Sequence, residues 1–190
     1  MKSRSGLSYL AIFLAIAVLV AVGLGWLWSK RVTDVARNSA VPAERAALAM
    51  QKRQIHLYFA DGSGKYLSAE QRVLEQSLDV ASAARELVEA LIRGPMKGGT
   101  RTLPRTAELR ALFVTADGMA YLDFKTDAFD FHPGGVRTEL MTIYSIVDTL
   151  VLNLEQVRQV KFLIGGQEAA TLAGHVDLSR PFKADMLWIR

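Results

Sequence analysis

Apolar and polar positions change their pattern three times along this chain. Leu7 to Trp28 reads LSYLAIFLAIAVLVAVGLGWLW without a charged residue. As a helix, a run of that length spans about 33 Å, enough for the hydrocarbon core of a bilayer. Residues 30–52 lose the pattern: Arg37, Asn38, Ser39 and Pro42 precede an alanine-rich stretch with no strong apolar stripe. They read as a stalk, helical in part behind Pro42. From Ile55 onward, short segments of period 2 and period 3.6 take over, the signature of a folded domain.

Within that domain Ile55, Leu57 and Phe59 alternate with His56 and Tyr58, which predicts a strand ending at the turn Asp61-Gly62-Ser63-Gly64. A second strand follows from Lys65 to about Leu74. Ala84, Leu87, Val88 and Leu91 then fall at helical spacing, with Asp79 as N-cap and Gly94-Pro95 as the stop. Strands at Leu109–Thr115 and Met119–Phe124 flank Ala116-Asp117-Gly118, a hairpin signal. Leu140, Ile143, Tyr144, Val147, Leu150, Val151 and Leu154 predict a second helix, widened by Met141, Ile146 and Leu152 into the most buried one. Val160, Phe162 and Ile164 open a last strand pair, turning at Gly165-Gly166 and returning over Glu168–Leu172. The order ββα-ββα-ββ predicts an α+β fold, two helices packed on one face of a mostly antiparallel sheet, preceded by one transmembrane helix. The divisions are 1–29, cytoplasmic tail and anchor; 30–52, stalk; 53–182, the domain; and 183–190, a C-terminal tail. No fixed-period repeat is visible.

The apolar run is longer than a secretory signal's core, and Trp26 and Trp28 close it as an interfacial belt would. It reads as an uncleaved anchor. The chain has no cysteine, which excludes a disulfide, a thiolate nucleophile and a lipidated N-terminal cysteine. Lys2 and Arg4 on one side nearly balance Lys30, Arg31 and Arg37 on the other. A short basic tail is readily retained inside while a large domain crosses. The expected location is the bacterial cytoplasmic membrane, single-pass, with the C-terminal domain extracytoplasmic.

The net charge of +4 sits around the anchor: residues 1–31 hold four basic residues and no acid, leaving 19 of each sign afterwards. A formally neutral domain without a basic run is not expected to bind nucleic acid.

Candidate chemistry is sparse. In GHVDLSRPF, Gly174 to Phe182, the residues His175, Asp177 and Ser179 alternate. A relay needs the imidazole between serine and carboxylate, and here aspartate is the middle residue. Asp127, Asp130 and His132 could hold a metal, but Phe129 and Phe131 between them suggest a packed loop. Gly94-x-x-x-x-Gly99-Thr100 echoes a phosphate loop, yet lacks the lysine and follows a helix. Tyr58, Tyr66, Tyr121 and Tyr144 could line a groove, though aromatics on such elements are usually core. His56 is expected on the outer face. No residue is assigned to catalysis, a cofactor or a metal, and no cofactor is expected.

Several stretches resemble the GerMN family of bacterial sporulation, germination and other envelope proteins. They are LYFADGSGKYL (Leu57–Leu67), LVEALIRGP (Leu87–Pro95), AYLDF (Ala120–Phe124), HPGGVRTELMTIYSIVDTL (His132–Leu150) and FLIGGQEAATLAGHVDLSRPF (Phe162–Phe182). Together they cover nearly all of Ile55–Phe182. The resemblance implies a non-catalytic module similar in style to ring-building domains of envelope assemblies, in one copy rather than a tandem pair. Gly174–Phe182 would then be a structural ending.

Two function classes remain. One is a non-catalytic, membrane-anchored envelope module that binds another envelope protein or its own copies through a strand edge or a helix face. The other is an envelope hydrolase or small-ligand-binding protein using His132, His175 and nearby carboxylates. The first is the expectation, and it makes the protein no enzyme.

Overall fold

The computed structural model describes residues 50–190. The expected anchor and most of the expected stalk lie outside them. Among the described residues no helix is long and apolar enough to cross a membrane.

β1 (Met50–Ala60) and β2 (Leu67–Ser77) form an antiparallel hairpin that sets Ile55 opposite Arg72 and Leu57 opposite Glu70. Its turn is shaped by Asp61, whose carboxylate accepts from Ser63 Oγ at 2.8 Å and Lys65 N at 3.1 Å. Helix α1 (Val80–Arg93) starts where its sequence predicts: Asp79 accepts from Ser82 N at 2.8 Å, and Gly94 ends it at φ 90°. Its buried stripe, including Ala84, Leu87, Val88 and Leu91, packs on β1, β2 and β3 (Leu109–Val114). β4 (Met119–Phe124) pairs antiparallel with β3 through the turn at Gly118. That glycine has φ 88°, and a Cβ there would stand 3.0 Å from the carbonyl of Gln156. Only glycine fits without strain.

The one mostly antiparallel sheet expected from the hairpin order is divided in the structure. There are two sheets, β1-β2 and β3-β4-β5-β6, and β5 (Gln159–Ile164) runs parallel to β4. The cause is helix α2 (Val136–Asn153), whose 18 residues return the chain to the starting end of the sheet. Alternating polarity cannot report strand direction. The return strand is also shorter than expected: β6 is only Gln167–Glu168. Beyond it, Leu172 and Leu178 are buried and Phe182 pairs with Val160. Lys161 is buried, and its ammonium donates to the carbonyls of Leu178 and Ser179 at 3.2 and 2.6 Å.

Residues 183–190, expected as a tail, are part of the fold. Trp188 stacks on Tyr144 at 5.5 Å, Ile189 bridges Leu67, and Arg190 N donates to Leu67 O at 2.8 Å. At the other boundary β1 begins at Met50, three residues inside the expected stalk. β2 runs to Ser77, so β1 has a partner strand over its full length.

α2 is buried as expected, but not as an apolar rod: Glu139, Thr142, Ser145, Asp148 and Thr149 are buried with its hydrophobic residues. Part of this polar stripe closes the open edge of β1. Asn153 Oδ1 accepts from His56 N at 2.9 Å while its Nδ2 donates to His56 O at 2.7 Å. Tyr58 N donates to Thr149 Oγ1 at 3.2 Å, and Ser145 Oγ donates to Tyr58 O at 2.6 Å. Side chains at i, i+4 and i+8 of one helix thus stand in for a neighbouring strand. Asn153→Ala unpairs both backbone groups of His56. It is expected to lower unfolding stability by about 1–3 kcal/mol, read as a shift of the urea midpoint.

Candidate functional site

The strongest polar constellation forms where the first turn of α2 meets the closing segment. Glu139 is fully buried. Its Oε1 accepts from Leu172 N at 2.8 Å and Ala173 N at 3.0 Å, and its Oε2 from His175 N at 2.9 Å. Burial pushes this carboxyl up, but the N–H groups of Ala173, His175, Leu172 and Val176 outweigh it and hold it below the usual glutamate value. It is therefore an anion at neutral pH with its acceptor sites filled from the backbone. His175 Nδ1 lies 3.3 Å from Oε2, on the exposed side.

His132 stands nearby in the loop that leads into α2. Gly134 N donates to its Nδ1 at 3.0 Å, which places the proton on Nε2. Nε2 is 2.9 Å from Thr142 Oγ1, which donates in turn to Thr102 O at 2.6 Å. Burial lowers the His132 pKa; Glu139 opposes this and His175 adds to it. The imidazole is neutral and neither nitrogen has a free lone pair. As a general base it is already spent on the fold.

The remaining predicted residues do not assemble. Ser179 donates from N and Oγ to the Asp177 carboxylate at 2.8 and 2.9 Å, with no imidazole between them. Asp127 and Asp130 are exposed in successive turns, and no group of three metal-ligating side chains gathers among the described residues. At Gly94–Thr100, Arg101 donates to the carbonyls of Ile92 and Arg93, so the loop closes the negative end of α1. Tyr58 is buried with Leu67 and Met141, and Tyr144 lies between Trp188 and Phe182. Tyr66 sits under the Arg190 guanidinium at 4.7 Å, and Tyr121 lies on β4 opposite Phe113. His56 is exposed, as expected.

Four buried acids were missed by pattern reading: Glu70, Glu139, Asp148 and Asp123, the last accepting from Arg110 Nε at 2.6 Å and Gly166 N at 2.8 Å. Glu70 on β2 accepts from Met96 N and Lys97 N at 2.9 and 2.8 Å and pairs with Arg72. Asp148 accepts from Asp185 N at 3.0 Å while its Oδ2 has no partner. Burial, chiefly, raises its carboxyl to about 7. The signal was available: Glu139 and Asp148 interrupt a helix read as apolar on most sides, and an acid there needs a partner.

The model of the Germane family, described as sporulation and spore germination, matches residues 56–170, more than half of the chain. The chain belongs to the Germane family. Solved structures agree on the fold. The tandem GerMN domains of the sporulation protein GerM from Bacillus subtilis align at TM-score 0.58 and 21% identity, over 70% of this chain and 46% of that one. The first GerMN domain of GerM alone aligns at 0.55 and 24%, covering 67% and 98%. A protein assigned as a lipoprotein in Clostridium perfringens aligns at 0.51 and 24%, covering 70% and 87%. No curated protein matches. The Germane match ends at Ala170, so the backbone loop that holds Glu139 and the C-terminal segment that holds Asp148 both lie beyond it.

Proposed function

We propose that this Germane protein is a non-catalytic envelope module, tethered to the cytoplasmic membrane by Leu7–Trp28, that works by binding another protein or its own copies. One observation carries the reading: Glu139, His132, Asp177 and Ser179, which could do chemistry, spend their polar atoms on internal hydrogen bonds. The likeness to a Clostridium perfringens lipoprotein supports an envelope setting. Chemical cross-linking in intact membranes is expected to recover a discrete higher-mass species containing the chain. Recovery of the monomer alone would remove the proposal. The double variant His132→Ala, His175→Ala is expected to rescue a deletion strain as wild type does. Lost rescue with folded protein would favour the hydrolase reading.

A further inference from the structure

We propose that the outer edge of β2 takes an extended, acidic segment of a partner protein as an added strand. This rests on the binding role above and names its surface. On β1, His56, Tyr58 and Ala60 use their backbone groups on Asn153, on Thr149 and Ser145, and on Thr100. Those groups point away from β2. The residues directly opposite, Gln71, Ala69 and Leu67, must then turn their own N–H and C=O away from β1. Alternation extends this to Val73 and Glu75.

At one end the edge already takes a single bridge from an extended residue. Leu67 O takes the N–H of Arg190, and Ile189 pairs there in parallel. From Ala69 to Glu75 the outward backbone groups have no hydrogen-bond partner among the described residues, and Val73 is 66% exposed. Two other edges are closed, that of β1 by α2 and that of β5 beyond the short β6 by Phe182, which exchanges two bonds of 2.8 Å with Val160, whereas the outer edge of β3 also has no neighbouring strand among the described residues.

Charge selects the occupant. A hollow of about 450 Å³ lies along the strip, lined by Arg72, Leu74, Arg93, Met96 and Lys97. Alternate side chains of an added strand would enter it. Arg93 and Lys97 are exposed and form no ion pair among the described residues. The acid that lines the hollow, Glu70, is buried and occupied by Arg72 and two N–H groups. Glu75 projects from the opposite face of the hairpin. A second copy pairing through β2 would bring only Glu70, Arg72, Leu74 and Gln76 to this face, and its one acid is already taken. A foreign acidic segment is the better complement.

The test uses the full-length chain in mild detergent and fluorescent peptides of about eight residues. One peptide alternates valine and glutamate, one alternates valine and lysine, and one is the glutamate peptide with alternate amides N-methylated. Anisotropy is expected to show saturable binding of the first, weaker by about tenfold or more for the other two. Arg93→Glu with Lys97→Glu, and separately Val73→Pro, should each weaken it comparably. Proline is tolerated at an edge position whose N–H faces outward. If that variant unfolds, the N-methylated peptide decides the matter without altering the protein. Equal binding of the N-methylated peptide, no binding, or a dimer that Val73→Pro dissolves would overturn the proposal. In cells, photo-cross-linkers at Val73 and at the exposed Phe113 separate the two readings. An adduct only from Phe113 overturns the edge and leaves the binding role standing, and no adduct from either counts against both.

Discussion

Glu139→Ala is expected to destabilise the domain by about 2–5 kcal/mol, since each buried donor left unpaired costs about 1–3 kcal/mol. The substitution leaves the N–H groups of Leu172, Ala173 and His175 without an acceptor, the first in a buried position and the other two part-buried. It also frees the loop at 172–175, because no other side chain bonds those three groups, while Lys161 and Val160 still hold the segment beyond it. Glu139→Gln keeps one acceptor oxygen but turns an amide NH₂ toward donors, so an intermediate loss is expected. pH gives a second check. The folded carboxyl is held below its ordinary value, so its contribution is complete above about pH 4.5. It is lost as pH falls through the lowered folded value. Urea midpoints of wild type and Glu139→Ala should therefore differ most near neutrality and converge in acid. Equal midpoints at pH 7 would show that something else holds the loop.

Asp148 acts with the opposite sign. Burial raises its folded carboxyl to about 7, with the Asp185 charge adding to the rise and the Asp185 N–H opposing it. Tyr58 and Tyr144 flank it, both raised mainly by burial and further by its charge. Over the window from about 3.8 to about 7 the folded state keeps a proton that the unfolded chain has released. Stability therefore falls with rising pH across that window, by up to about 1.4 kcal/mol per pH unit, and levels off above it. Asp148→Asn stays neutral throughout and retains an acceptor for Asp185 N. Subtracting its pH–stability curve from the wild-type curve should isolate a downward slope over this window. A difference that stays flat from pH 4 to 8 would mean that Asp148 ionises normally.

The two acids show how far the candidate site was legible. His132 and His175 were marked by their chemistry, and the structure does place both near one carboxylate. The carboxylate itself was not marked, because Asp127, Asp130 and Asp177 are closer in sequence. Glu139 reaches His175 across 36 positions and Leu172 across 33. Sequence proximity favoured the wrong acids, since turns keep neighbouring residues on the surface while helix packing joins distant ones. The β2 edge was legible only as a general expectation. Which edge stays open depended on Asn153, Thr149 and Ser145, whose bonds to β1 span 87 to 97 positions.

By itself the sequence determined what local backbone geometry controls. Asp79 and Gly94 bound α1, Asp117-Gly118 turns β3 into β4, and the alternation at Ile55, Leu57 and Phe59 marks a buried strand face. Each depends on residues within a few positions, so a short window contains the whole cause. Tertiary structure alone decided that β4 and β5 run parallel, that the hairpin stands as a separate sheet, and that the last eight residues fold onto Tyr144 and Leu67. It also decided that α2 seals one strand edge and leaves another open. Hydrophobic periodicity records which side of an element is dry. It carries no information about which distant N–H or C=O will satisfy the polar groups buried there, and that pairing is settled only when the chain closes on itself.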